Sequence, residues 1–339
     1  MTSAPRLGGF KILTDVIRVS AVSPGAAAHF PATFCRVVAD EKVNLPYLTI
    51  VFGGHSWGLN LMVEASEWQK TSKAIKENFG EIFTSNSKSA VLSIFPHKKN
   101  PEIAGRLFEA FDREGLEPDA LANSPSALSV IINEELITKA SDALFEPFSF
   151  GPYRTPADWK LAQKGKEQLY KEVVASYQEK RPKVYGLDYH EGQDLVQIKL
   201  RRQNMSHVGT SFRGFARLGL NLTFLATGPC EETGKEILAF CLPGTESHAY
   251  TQIIGRIVPE IQVETTSPVV ILSMNGPHFG DRYGIASELL AALNNHNVKL
   301  LGLSCTIASI TGVFPSHQFE PAIRAIQDCF DVPSITKKD

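Results

Sequence analysis

The chain repeats itself, and the spacing of the repeat limits what it can fold into. Ile103-Ala104 in NPEIAGRLFEAF stands 182 residues before Ile285-Ala286 in RYGIASELLAAL. The same offset carries Gly115-Leu116 to Asn297-Val298 and Ala140 to Ala322. Three matches at one spacing, without a gap, make the second and fourth quarters one unit used twice. The first and third quarters carry a related pattern. Each quarter has a junction where a helix stops and a strand starts: Lys42-Val43-Asn44-Leu45, Gly115-Leu116-Glu117-Pro118, Gly219-Leu220-Asn221-Leu222 and Asn297-Val298-Lys299-Leu300. Gly or Asn in first place suits the left-handed residue that ends a helix. Lys42 departs from that rule. The hydrophobic second residue can fold back on the helix it has just left.

The order of elements within a quarter follows from apolar spacing. In the fourth, Val269–Met274 reads as a strand and Ile285, Leu289, Leu290 and Leu293 as a helix face. Leu300–Leu303 and Ser309–Phe314 read as strands, and Phe319, Ile323, Ile326 and Phe330 as a second helix face. In the third, Val196–Leu200, Leu222–Ala226 and Ile237–Leu242 are strands, and Phe212, Phe215 and Leu218 mark a helix. The order is β-α-β-β-α with a further strand, the ferredoxin-like arrangement of an antiparallel sheet covered on one face by two helices. The fold class is α+β, with units at 9–85, 86–150, 184–264 and 265–335. A lone unit leaves a sheet edge open, so pairing between units is expected. The connection at 151–183 begins with the breakers Gly151-Pro152 and Thr155-Pro156. Leu169, Val173, Val174 and Tyr177 then make one apolar stripe, so it reads as a packed helical linker.

Charge and motif content narrow the function. Lys+Arg 34 against Asp+Glu 36 gives a net charge of -2. Without a basic surplus the chain is not expected to bind nucleic acid or an anionic membrane. No apolar run reaches the ~18–20 residues of a membrane span. MTSAPRLGG lacks the layout of a secretory signal, so a cytoplasmic location is expected. The five cysteines are spread without a CxxC, and the nine histidines form no HxH or HxxxH pair. Neither a disulfide framework nor a metal site is expected, and no cofactor. A GxSxG elbow and a GxxxxGK[ST] loop are both absent. Asp188 and His190, and His278 near Asp281, read as surface loop pairs.

The second half resembles a known family. Val184-Tyr185-Gly186-Leu187-Asp188, then Leu195–Leu200 and the loop Arg201–Gly209, is similar to the opening of the paired ACT domains in the regulatory, C-terminal part of aspartokinases. Lys235–Pro243 resembles that family's second hairpin strand. Asn297–Ser304, Ser309–Phe314 and Ala322–Phe330 resemble its last ACT unit. A weaker copy covers about Gly9–Phe148. The family's Pro-Gly pair between first strand and first helix falls here on Ala28-His29, Met205-Ser206 and Tyr283-Gly284. The literal Pro24-Gly25 lies four residues early, and Pro101 is followed by Glu102. Phe52-Gly53-Gly54-His55-Ser56 looks like the glycine-rich nucleotide motif of the family's kinase domain. Val51 stands where the family has Lys, and no helix start follows to hold phosphate. It reads as a hairpin turn, with Gly228-Pro229 as the matching turn in the third unit.

The resemblance implies four ACT units in two tandem pairs, without the kinase domain and without catalysis of their own. It implies a sensor of a small amino-acid effector. Free N–H groups at a helix start suit the effector's carboxylate, and amide or carbonyl oxygens of a neighbouring unit suit its ammonium. The candidate ligand-binding residues are Ser23, Pro24, Gly25, His29 and Asn44 in the first unit. In the third they are Asn204, Met205, Ser206, His207 and Asn221. A homodimer is expected, with an aspartokinase-like metabolic enzyme as partner. The alternative is a structural or oligomerisation module, or a trans-acting regulatory subunit, whose pockets have drifted.

Overall fold

The computed structural model describes residues 4–338 apart from 24, 26, 28, 152, 164–180, 202–203, 233, 258–262, 277–278, 280–281 and 307–308; it leaves undescribed the side chains of 86–87, 160–163, 205–206 and 257. The stripe Leu169, Val173, Val174 and Tyr177, the His278–Asp281 pair and Pro24 therefore lie outside the described residues, as do the side chains of Met205 and Ser206.

The apolar spacing yields one element order four times. The first unit has β1 (Gly9–Val22), α1 (Phe30–Asp40), β2 (Tyr47–Gly53), β3 (Ser56–Glu64) and α2 (Trp68–Phe79). The second has β4 (Phe83–Phe95), α3 (Pro101–Arg113), β5 (Ala120–Asn123), β6 (Leu128–Asn133) and α4 (Ile137–Ala143). A short helix α5 (Pro156–Gln163) leads towards the third unit. That unit has β7 (Gly186–Leu200), α6 (Met205–Arg217), β8 (Phe224–Pro229), β9 (Glu236–Pro243) and α7 (Ser247–Ile257). The fourth has β10 (Val263–Asn275), α8 (Ile285–Asn295), β11 (Gly302–Thr306), β12 (Ser309–Pro315) and α9 (Phe319–Cys329), and β13 (Ile335–Lys337) follows.

Local chemistry sets the ends of these elements. Asn100 caps α3, its side chain accepting from the Glu102 N–H at 2.9 Å, and Pro101 opens the helix. Gly115 leaves it at φ 61°, and the Leu116 N–H reaches back to the Phe111 carbonyl at 2.8 Å. Leu220 to Phe215 and Val298 to Leu293 close the same way, at 3.1 and 2.8 Å. Val43, Leu116, Leu220 and Val298 are all buried. Gly53 faces Ser56 across a two-residue hairpin turn in which Gly54 has φ 64°. Gly228-Pro229 is different and corrects the expectation of a turn there. Both residues stay in β8, opposite Ile237 and Glu236, and the connection is Cys230–Lys235. Gly228 stays in the strand because its Cα packs against Val51 and Gly58 of the facing sheet, where a side chain would collide.

The four long strands each serve two units. The far half of β1 pairs with β3 and with the start of β4, while its near half, Gly9–Leu13, pairs with the end of β4. The second unit thus takes its fourth strand from the beginning of the chain. β7 and β10 exchange halves in the same way. Register shifts near Val16 and Val269 bend these strands from one sheet into the other. The units also join side by side, β2 with β11 and β5 with β8. Following the pairings from β10 through β12, β11, β2, β3, β1, β4, β6, β5, β8 and β9 to β7 returns to β10, so the sheet closes on itself.

Helices cover the outer faces and the inner faces pack together. Leu48 and Ile50 point to the helical side, joining Phe34, Leu289 and Leu303 in a core shared by the first and fourth units. Phe108 and Phe111 join Phe212, Phe215 and Phe240 in the core of the second and third. Alternate residues of the same strands point inward, where Val51 meets Phe224, Ala226 and Ile237. A polar group crosses this layer. Arg18, 4% exposed, bonds Asn60 Oδ1 at 2.8 Å and lies 3.6 Å from both Asp119 and Glu236. The Thr49 hydroxyl donates to the Thr227 carbonyl at 2.7 Å. The buried guanidinium stands between carboxylates from two other units, so removing Arg18 would take from both the cation that compensates them.

Candidate functional site

Side-by-side pairing creates two seams, each with a loop, a helix start and the start of a neighbouring strand. At the first, Val51, Ile50, Thr49 and Leu48 of β2 pair with Gly302–Cys305 of β11, and α1 lies beside α8. Between them is a crevice of about 20 Å³ lined by Val38, Leu45, Phe279, Gly284, Ile285 and Cys305, among others. That is room for about one water molecule. Gly284 stands before α8 at φ 85° and, having no side chain, does not itself cap the helix. The first turn, Ile285–Ser287, lines this crevice and brings the positive end of the helix dipole to it. Arg282 also lines it and reaches Glu288 at 3.5 Å. The thiols of Cys35 and Cys305 border the same space. Burial pushes Cys35 up to about 12 and Cys305 upward as well, so both stay protonated and uncharged.

The second seam is built differently. β5 and β8 pair through Ala122 and Ala226. Above them α3 and α6 cross where Gly105 and Gly209 bring the two backbones together. An open cleft of about 530 Å³ lies alongside, bordered by Arg106, Glu109, Arg113, Glu146, His207 and Arg213. Its three arginines are paired. Arg113 holds Glu146 with two bonds of 2.7 and 2.5 Å, Arg213 holds Glu109 at 2.8 Å, and Arg106 holds Glu102 at 2.7 Å. The Arg113 guanidinium keeps the Glu146 carboxyl below its usual range.

The residues singled out from sequence are not gathered at one place. Ser23 is buried, its hydroxyl donating to the Gly25 carbonyl at 2.5 Å and accepting from the Trp57 N–H at 2.8 Å, which ties the loop to β3. Gly25 takes φ 69° with open space around it. His29 is exposed before α1, and neither it nor Asn204 caps the helix that follows. Asn44 is half-buried, Asn221 is exposed, and His207 borders the open cleft. The first-seam crevice is lined by other residues, Val38 and Leu45 among them from the first unit and Phe279, Arg282 and Gly284–Ser287 from the fourth. Sequence held one signal for it: Gly284 keeps the glycine of the Pro-Gly pair. His190 also departs from expectation. It is not on a surface loop but in β7, 4% exposed, with its Nε2 2.7 Å from Lys99 Nζ. Among the described residues no group of three or more His, Cys, Asp or Glu could hold a metal ion. Among them too, no helix is long and apolar enough to cross a membrane.

No family model and no curated protein matches the chain. Its fold does match solved structures. An aspartate kinase from Synechocystis superposes over 97% of this chain and 57% of its own, with a TM-score of 0.79 and 16% identity. The chain thus spans little more than half the length of that enzyme. The ligand-free regulatory subunit of aspartate kinase from Thermus thermophilus matches over 44% of this chain and 99% of its own, with a TM-score of 0.38 and 13% identity. The corresponding subunit from Thermus flavus gives 0.37 and 15%. The first match corrects the expectation that the chain is not an enzyme. Over 97% of its length it has a fold found in an aspartate kinase. That expectation rested on the lack of a recognisable kinase domain and catalytic constellation in the sequence, and catalytic groups assembled from distant parts of a fold need leave no such local signature.

Proposed function

We propose that the chain binds a free amino acid as a regulatory effector, in the manner of the regulatory region of an aspartate kinase. The observation that carries the reading is the start of α8, which Gly284 opens onto the crevice at the seam with the first unit. The effector's carboxylate lies on the N–H groups of Ile285–Ser287 with Arg282 beside it. Its side chain enters the apolar space between Val38, Leu45 and Phe279. In this reading the four units are ACT units bounded at 9–85, 86–150, 184–264 and 265–335, and the regulated partner is an aspartate-kinase-type enzyme. The crevice holds about 20 Å³, too little for an amino acid, so binding parts α1 from α8. The ligand then shifts an equilibrium between a closed and an open seam by its differential affinity, typically ~1–3 kcal/mol of coupling.

The same small volume favours a second reading, in which the seam is a permanent structural joint and the chain an oligomerisation module. Thermal melting with each of the twenty amino acids separates the two. A bound effector at ~100 times Kd adds about 2.7 kcal/mol, a shift of several degrees. Arg282→Ala should weaken that shift and leave the ligand-free melting point nearly unchanged. If no amino acid moves the wild-type melting point, the structural reading stands.

A further inference from the structure

Lys98 and Lys99 follow one another in the left-handed region, at φ 50° and 55°, in the loop between β4 and α3. A side chain with a Cβ avoids that region unless its surroundings hold it there. Lys99 is held twice. Its carbonyl accepts from the Leu222 N–H of the third unit at 2.7 Å. Its ammonium lies 2.7 Å from His190 Nε2 in β7. Burial, then Lys99, pushes His190 down to about 4, so at neutral pH the ring is uncharged and its Nε2 accepts from Lys99.

The other side of His190 meets the end of the chain. The main chain of Lys338 hydrogen-bonds the ring. Ile335–Lys337 pair in parallel with Leu187–Tyr189, the Leu187 N–H donates to the Ser334 carbonyl at 2.9 Å, and the Lys338 N–H to the Tyr189 carbonyl at 2.8 Å. Lys338 lies 3.4 Å from Asp188, and Lys337 bonds Glu191 at 2.7 Å. Every residue of β13 is exposed. This strap is therefore held by polar contacts around His190 rather than by burial of its own side chains.

We propose that the His190–Lys99 contact is an acid-released latch: a proton taken up by His190 frees the C-terminal strap from β7 and unpins the loop of the second unit. A charged ring would lose its hydrogen bond from Lys99. It would face Lys99 from the loop and Lys338 from the strap, with Asp188 as the opposing carboxylate and Glu191 engaged by Lys337. From β10 it faces the apolar Ile271. The strap's departure uncovers the edge of β7 at Leu187–Tyr189, a row of main-chain groups open to another strand. The latch concerns a different place from the effector seam and does not depend on that reading.

The direction with pH follows from the two states of His190. Docked, it titrates near 4; released into water, it returns to about 6.5. Between those values the released state binds more protons, so docking weakens as pH falls. From pH 7.5 to pH 5 the ratio of docked to released strap should drop about thirtyfold. Hydrogen exchange on the full chain reads this at Leu187 and Lys338, corrected for intrinsic exchange. His97, also pushed to about 4 by burial, weakens the whole fold over the same range, so the strap is compared with Leu48 and Ile50 of β2. In His190→Gln, neutral at every pH, the strap should change less than threefold. Lys99→Met, which keeps the ring but removes the neighbouring charge, should shrink the wild-type change. A strap equally protected at pH 7.5 and 5 in the wild type overturns the latch. So does a thirtyfold loss that persists in His190→Gln.

Discussion

Lys42 sits at φ 56°, at the helix exit where the other units place Gly115, Gly219 and Asn297 at 61°, 72° and 52°. The backbone is the same in all four units, and only here does a long β-substituted side chain adopt it. The left-handed conformation costs such a residue about 1–2 kcal/mol, part of which glycine returns through the greater freedom of its unfolded chain. Lys42 is exposed and its N–H already bonds the Ala39 carbonyl. Lys42→Gly should therefore stabilise the protein by about 0.5–1 kcal/mol, measured as a higher midpoint in urea with unchanged slope. A loss of stability would mean that the lysine side chain is held by something stronger than its backbone strain. The junction was legible in the sequence because it is local: Gly or Asn followed by an apolar residue. His190 was not. Its burial is made by a loop of the second unit and by the last residues of the chain, and no spacing around Asp188 and His190 records either. Gly284 lies between these cases. It was visible as the retained glycine of a motif, but its importance depends on Leu45 and Val38 of another unit standing opposite.

Helix pairs show how one glycine sets a whole seam. A Cβ at Gly105 would stand 2.7 Å from the Gly209 carbonyl and 2.6 Å from Arg213 Cγ. The arginine stem can move; the carbonyl is fixed in α6. Gly105→Ala gains helix propensity worth about 0.5–1 kcal/mol but overpacks the crossing by about 1–3 kcal/mol. The expected net result is a loss of about 1–2 kcal/mol by chemical denaturation. Gly255 in α7 is the control, because nothing lies within 4 Å of its Cβ position. There the same substitution should stabilise by about 0.5–1 kcal/mol. If both substitutions stabilise, α3 and α6 are not in close contact in solution. Periodicity made the helices and hairpins readable. It did not reveal that β1, β4, β7 and β10 each divide between two units. An alternating apolar strand looks the same whether its two ends share a sheet or not, and only long-range pairing such as Gly9 with Phe95 settles it.

Closure of the sheet makes the two halves of the chain interdependent. The core beneath α1 draws Leu48 and Leu59 from the first half and Leu289 and Leu303 from the second. The core beneath α3 joins Phe108 and Phe111 to Phe212 and Phe240. Inner contacts are specific to the pair: a Cβ at Gly58 would overlap the Pro229 carbonyl, and one at Gly53 would meet Ile237 at 2.5 Å. A half on its own keeps its interlocked strands but uncovers both seams and its inner face, apolar surface that soluble monomers rarely leave bare. A second copy of the same half cannot reproduce these contacts, because Gly58 and Pro229 come from different halves. Fragments 1–163 and 181–339, expressed apart, should aggregate or melt without cooperativity. Mixed, they should form a one-to-one complex with nearly the 37.2 kDa mass of the intact chain and a single sharp melting transition. Sedimentation and calorimetry decide the matter. Two monomeric fragments, each melting cooperatively near the temperature of the intact protein, would show that each half holds a complete core and that the seams add little. The apolar residues named above argue against that outcome, because each of those cores takes residues from both halves.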